Sequence, residues 1–233
     1  MAKLPTIEEM LKAGMHFGHS TGKWHPKMKP YIFTERKGVY IIDLAKSQKM
    51  LGTALEFMEN LVKESKTILF VGTKNQVKKD LRTTAEAVDM PYISEKWAGG
   101  ILTNFPIFRK MINKYKGLQE EKALGKLERY TKKERSVFDK EIKRLELKVG
   151  GLTNMNKLPD ALFIWDIKKE KTALNEARVK NIPIVAICDT NSNPELVNYV
   201  IPGNDDASKT VKLIMDCIKE NLLEAKKEIK NSK

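Results

Sequence analysis

The sequence predicts an α/β fold built on a doubly wound, mainly parallel sheet, and three observations carry that prediction. Thr67–Val71, Asp160–Asp166 and Ile184–Cys188 contain unbroken apolar runs rich in β-branched and aromatic residues, the pattern of strands buried on both faces. Amphipathic helical patterns alternate with these runs, so right-handed crossovers are expected between parallel neighbours. Two polar loops, Asp189-Thr-Asn191 and Pro202-Gly-Asn-Asp-Asp206, follow apolar strands and so fall at the same sheet edge, where open α/β folds place their ligands.

Each element follows from local chemistry. Thr6-Ile-Glu-Glu9 is a capping box that starts a short helix, which Gly14 ends. From about 14 to 33 comes a basic and aromatic arm holding all three histidines, with Phe17, Trp24, Tyr31 and Phe33 among Lys23, Lys27 and Lys29. Its glycines and prolines rule out a regular helix. Rings among cations suit an RNA surface, where rings meet bases and lysines meet phosphates. The plainer reading is an extended arm pinned to the domain by Phe17 and Trp24. Tyr31–Asp43 reads as a hairpin with its turn over Thr34–Gly38, and Asp43 caps a long amphipathic helix.

After Thr67–Val71 the sequence Gly72-Thr-Lys-Asn75 resembles a phosphate cradle in part. It lacks the second glycine and the Lys-Ser/Thr pair of a P-loop, so a plain βα turn is expected. A helix through Val77, Leu81, Ala85 and Val88 and a short strand at Tyr92–Ile93 follow. In the loop Trp97–Phe105, Gly99 and Gly100 permit close backbone approach. Two helices with apolar positions at three-four spacing then flank a polar break, and Thr131-Lys-Lys-Glu134 is a second capping box. They read as an antiparallel helical hairpin over 106–150, inserted between 1–105 and 151–233 of the sheet domain. The sheet elements before and after it together make a complete α/β pattern, which predicts that the domain folds without it. Beyond it, Glu170–Val179 is the crossover helix before Ile184–Cys188, and a last helix starts near Ala207.

Charge is segregated. Of the net +13, the stretch Arg109–Lys148 supplies 14 Lys/Arg against 7 Asp/Glu, and Met1–Met50 supplies 9 against 4. Leu51–Phe108 is balanced at 7 against 7, and Val149–Ile218 holds 8 against 9. This points to a polyanion partner reached by the arm and the hairpin. Two cysteines, Cys188 and Cys217, fit packed thiols in a reducing compartment. No apolar run approaches a membrane span and no signal-peptide core opens the sequence, which predicts a cytoplasmic protein with no membrane partner.

The stretches Gly14–Phe33, Gly38–Leu44, Phe70–Gln76, Trp97–Phe105, Leu158–Asp166, Asp189–Asn191 and Ile201–Ala207 together resemble the bacterial small-subunit ribosomal protein two family, in the family's order and across nearly the whole chain. The resemblance implies a flavodoxin-like domain with an inserted coiled-coil hairpin. It also implies a structural, non-catalytic role in translation, binding rRNA and neighbouring small-subunit proteins near the head–body junction of the ribosome. The large mRNA-binding ribosomal protein one is an implied partner where a species has it. His25 stands where the family pattern has asparagine. Candidate RNA contacts are Lys23, Trp24, Lys27, Lys29, Arg36, Lys37, Lys74, Trp97, Arg109 and Lys110. The H-x2-H spacing of His16 and His19, with Asp189, Asp205 and Asp206 at the sheet edge, makes a candidate site for a zinc or magnesium ion. A nucleotide- or metal-dependent enzyme at that edge is the alternative, but no nucleophile–base pair and no phosphate loop supports one.

Overall fold

The computed structural model describes residues 3–231. Its chain opens with α1 (Ile7–Ala13), where the Thr6–Glu9 capping box is formed and Gly14 takes the left-handed conformation at φ 78°. Three short strands follow, β1 (Phe17–Ser20), β2 (Ile32–Arg36) and β3 (Val39–Ile42), in an antiparallel sheet of order β1-β3-β2. The β2–β3 turn is tighter than the sequence suggested. Pairing runs through Arg36↔Val39, leaving only Lys37 and Gly38, at φ 52° and 75°, as a two-residue turn whose twist matches that of the strands. β1 falls inside the arm read as irregular, because it is held by pairing with a strand some 20 residues later and not by its own pattern.

The main domain continues through α2 (Leu44–Lys63), β4 (Ile68–Val71), α3 (Lys78–Ala87) and β5 (Tyr92–Ile93). After the helical pair come β6 (Ala161–Trp165), α6 (Lys171–Val179), β7 (Ile184–Cys188), β8 (Tyr199–Pro202) and α7 (Ser208–Asn231). The five strands pair in parallel in the order β5-β4-β6-β7-β8. Counted along this domain alone, that is order 2-1-3-4-5, the flavodoxin-like arrangement, with its switch point between β4 and β6. Every residue of β4, β6 and β7 is buried.

Alternate side chains divide between two cores, as a two-residue period requires. Ile68, Phe70, Phe163, Trp165, Val185 and Ile187 pack under α2, α3 and α7. Leu69, Val71, Leu162, Ile164, Ile184 and Ala186 face the other way, toward α6 and the loop at Trp97–Leu102.

The helical pair, α4 (Phe105–Ala123) and α5 (Lys132–Val149), completes that second core. Its ion pairs, Lys114–Glu141 and Lys122–Asp139, run in opposite chain directions, so the helices are antiparallel. Phe108, Ile112, Tyr115, Ile142, Leu145 and Val149 at its base are buried in one cluster with Leu69, Val71 and Leu162. The basal turns share one buried cluster with the sheet, which weighs against a domain that folds without the pair, while the distal turns carry mostly exposed charge. Replacing Ile107–Val149 by a Gly-Ser linker should therefore abolish cooperative thermal unfolding. Replacing only Glu120–Asp139 should leave it cooperative, with the midpoint changed by a few degrees.

Candidate nucleic-acid interface

The C-terminal edge of the parallel sheet is filled by the chain itself. Lys74, in the turn after β4, donates from Nζ to Asp166 Oδ2 at 2.8 Å, Asp205 Oδ1 at 2.8 Å and Asp206 Oδ1 at 2.7 Å. Asp166 follows β6 at φ 68°, and its second oxygen accepts the backbone N–H groups of Lys168 and Lys169 at 2.9 and 3.1 Å. Trp165 Nε1 donates to the Asp205 carbonyl at 2.9 Å and fixes the loop after β8. Burial would lower the Lys74 pKa, but its hydrogen bonds to the three carboxylates outweigh that and raise it. Burial, with Asp166 and Asp189 nearby, pushes the Asp205 carboxyl up. Asp205 Oδ2 is buried and has no hydrogen-bond partner among the described residues.

The same loops clamp the N-terminal arm. Thr190 Oγ1 accepts the His19 N–H at 2.8 Å and the Thr190 carbonyl accepts the His25 N–H at 2.7 Å. Asn204 donates its N–H to the Met15 carbonyl at 3.0 Å. His19 Nδ1 lies 3.1 Å from Asp189 Oδ1, and its Nε2 lies 2.9 Å from Asn191 Nδ2 and 3.8 Å from Asp206 Oδ2. The hydrogen bond to Asp189 raises the His19 pKa against the effect of burial. Gly18 has no room for a side chain, since a Cβ there would lie 2.5 Å from Thr190 Cγ2.

Of the candidate metal ligands, the structure brings His19 together with Asp189 and Asp206. His16 is not part of this group: its ring centroid lies 3.9 Å from that of Phe17, and its buried Nδ1 has no hydrogen-bond partner among the described residues. Among the described residues no three His, Cys, Asp or Glu side chains are grouped to hold a metal ion, and the positive charge among Asp166, Asp205 and Asp206 is the Lys74 ammonium.

The candidate RNA contacts divide into surface and interior. Lys23, Lys29, Arg36, Lys37 and Lys110 are exposed and make no ion pair among the described residues. Lys27 is exposed but paired with Glu195 at 2.7 Å. Trp24 is half-buried against Tyr40, with ring centroids 5.0 Å apart, and Arg109 donates to the Asn156 carbonyl.

Lys74 and Trp97 are not surface groups. Trp97 is buried and donates from Nε1 to Glu176 Oε1 at 3.0 Å. Glu176, on the inner face of α6, also accepts the N–H groups of Gly100, Leu102 and Thr103 at 2.8, 3.0 and 3.1 Å. Burial would raise its pKa, and these bonds together lower it. The tryptophan is therefore spent on fixing the 97–104 loop, a role that sequence reasoning missed. A glutamate set among Ala173, Leu174 and Ala177 on an apolar helix face was the available signal.

A sheet edge filled by its own lysine and arm, under an exterior rich in unpaired cations, belongs to an α/β protein of flavodoxin-like strand order. Residues 10–225 match the family profile described as ribosomal protein S2. The chain is 46% identical over 221 residues to the small ribosomal subunit protein uS2 of Coprothermobacter proteolyticus, covering 95% of this chain and 82% of that protein. It is 45% identical over 220 residues to the uS2 of Chlorobium chlorochromatii, covering 94% and 88%. The chain belongs to the ribosomal protein S2 family, and with that it is a structural constituent of the small ribosomal subunit in translation, not an enzyme. Among the described residues no helix is long and apolar enough to cross a membrane.

Removing Lys74 strands buried carboxylates. Lys74→Met should cost about 3 kcal/mol in urea unfolding, the scale of breaking a buried ion pair. Adding Asp205→Asn should recover part of that loss, and independent, additive losses would count against a shared cluster.

Proposed function

We propose that the protein holds small-subunit rRNA through cations displayed on three projections of a rigid core, and that neighbouring small-subunit proteins pack against the same surfaces. The projections are the arm at Lys23 and Lys29, the β2–β3 tip at Arg36 and Lys37, and the distal end of the helical pair. The observation that carries this reading is that Lys126, Arg129, Lys132, Lys133 and Arg135 at that distal end are all exposed and form no ion pair among the described residues. A stability role would pair or bury such groups; leaving them in water suits phosphates that arrive with the partner. Arg129 also lies 5.0 Å from the Tyr130 ring, which packs on Phe138, so one aromatic group accompanies these charges.

The family resemblance supports the finer placement: ribosome-bound in the cytoplasm, near the junction of head and body, with the large mRNA-binding ribosomal protein one as a neighbour where the organism has it. Cofractionation with small subunits on a sucrose gradient tests the assignment, and a protein that stays at the top of the gradient contradicts it.

The salt dependence of rRNA binding tests the contacts. Lys23→Gln with Lys29→Gln should lower the slope of log K against log salt by roughly one and a half to two. Adding Lys27→Gln should lower it less than one further free lysine would, because Lys27 is already neutralised by Glu195. An unchanged slope in the double variant removes phosphate contact from the arm.

The zinc or magnesium proposal keeps only His19 beside Asp189, since no three such side chains are grouped among the described residues. Elemental analysis of the purified protein tests it: stoichiometric metal lost in His19→Ala supports the ion, and none in the unsubstituted protein ends the proposal.

A further inference from the structure

The sheet domain looks electrically neutral in sequence, yet its charges are not distributed evenly between inside and outside. Of the nine Asp/Glu in Val149–Ile218, Asp166, Glu170, Glu176, Asp189 and Asp205 are buried. The eight Lys/Arg of that stretch are all outside the buried core. Glu170 turns inward to accept the Thr73 N–H at 3.0 Å, so its neighbours Lys168 and Lys171 face water with no carboxylate opposite. Along α6, the exposed residues Lys171, Asn175 and Arg178 recur at intervals of four and three, which places them on one face of the helix. Neither lysine nor Arg178 makes an ion pair among the described residues.

That face ends in a cleft of about 750 Å³ between the end of α6 and the segment before β8. Asn175, Arg178, Val179, Asn181, Leu196 and Asn198 line it. Val179 is 70% exposed, an apolar wall left in water. Asn198 spends its side-chain oxygen on the Ile184 N–H at 2.9 Å, and its side-chain amide donates no hydrogen bond among the described residues. Asn175 and Asn181 make no side-chain hydrogen bond among the described residues. The one carboxylate lining the cleft, Glu195, is neutralised by Lys27.

We propose that the outer face of α6 and this cleft form a further RNA site, in which the backbone of an unpaired strand runs along Lys168, Lys171 and Arg178 and one unstacked nucleotide enters the cleft. Cations in a row take phosphates, and apolar walls with free amide groups take a base by its face and its edge. The site rests on the RNA-binding reading above but is separate from the arm and the helical pair.

The test uses the full chain and a small-subunit rRNA transcript across a salt series, with K23Q/K29Q as the comparison because it leaves the Lys27–Glu195 pair intact. K168Q/K171Q/R178Q should lower the salt slope by roughly two, as three single-strand phosphate contacts would. Asn175→Trp, which fills the cleft, should weaken binding several-fold at fixed salt with the slope unchanged. Thermal unfolding should be unaltered in both, since the replaced side chains are exposed. With 4-thiouridine in the transcript, cross-links should appear on peptides spanning 172–182 or 194–198. If the unsubstituted protein does not bind rRNA, the RNA reading falls and this site with it. If it binds, K23Q/K29Q lowers the slope and the α6 variants match the unsubstituted protein, this site alone is overturned. Retained rRNA binding in the α6 variants together with capture of polyglutamate by the unsubstituted protein would give the surface to an acidic protein segment instead.

Discussion

Carboxylates at the ends of neighbouring parallel strands cannot share one dry edge unless positive charge and hydrogen-bond donors sit among them, and here the Lys74 ammonium meets that need. Held by Asp166, Asp205 and Asp206, it ties the turn after β4 to the loops after β6 and β8. Those loops, with Asp189-Thr-Asn191, grip the arm through His19, His25 and Met15. A flavodoxin-like sheet offers its switch point to a ligand; this chain closes that point with its own side chains and turns the sheet into a mount. What remains for a partner is the outside.

The outside is basic because the inside takes the acids. Glu176 serves as an internal anion for the Trp97–Thr103 loop, Glu170 for Thr73, and Asp189 for His19 and Thr190. Each buried carboxylate removes a negative charge from the surface while the lysines stay in water, so sequence stretches with balanced counts present an unbalanced face. Counting charges along the chain therefore understates how cationic the sheet domain is toward a polyanion.

Much of this was legible in the sequence. The three central strands read as apolar runs because burial on both faces removes the need for alternation, and both capping boxes formed as their residues imply. The polar loops at 189–191 and 203–206 were identified as the place where the fold converges, and His19 does meet Asp189 there. The misreadings share one cause, dependence on distant partners. β1 exists through pairing with β3, Trp97 is drawn inside by a glutamate 79 residues away, and Lys74 is claimed by carboxylates 92 to 132 residues later. The base of α4 and α5 looked like a narrow seam because its sequence period does not reveal that it joins one buried cluster with the sheet.

The central claim is that the C-terminal edge is filled before any partner arrives and that RNA meets only the exterior. Amide hydrogen exchange of the full chain, free and bound to small-subunit rRNA, tests it most directly. The account predicts that amides of Thr73, Thr190 and Gly203–Asp205 are slow in the free protein and unchanged on binding, while segments at 23–29, 36–38 and 126–135 gain protection. Fast exchange at Thr73, Thr190 and Gly203–Asp205 in the free protein, slowed only by RNA, would contradict it.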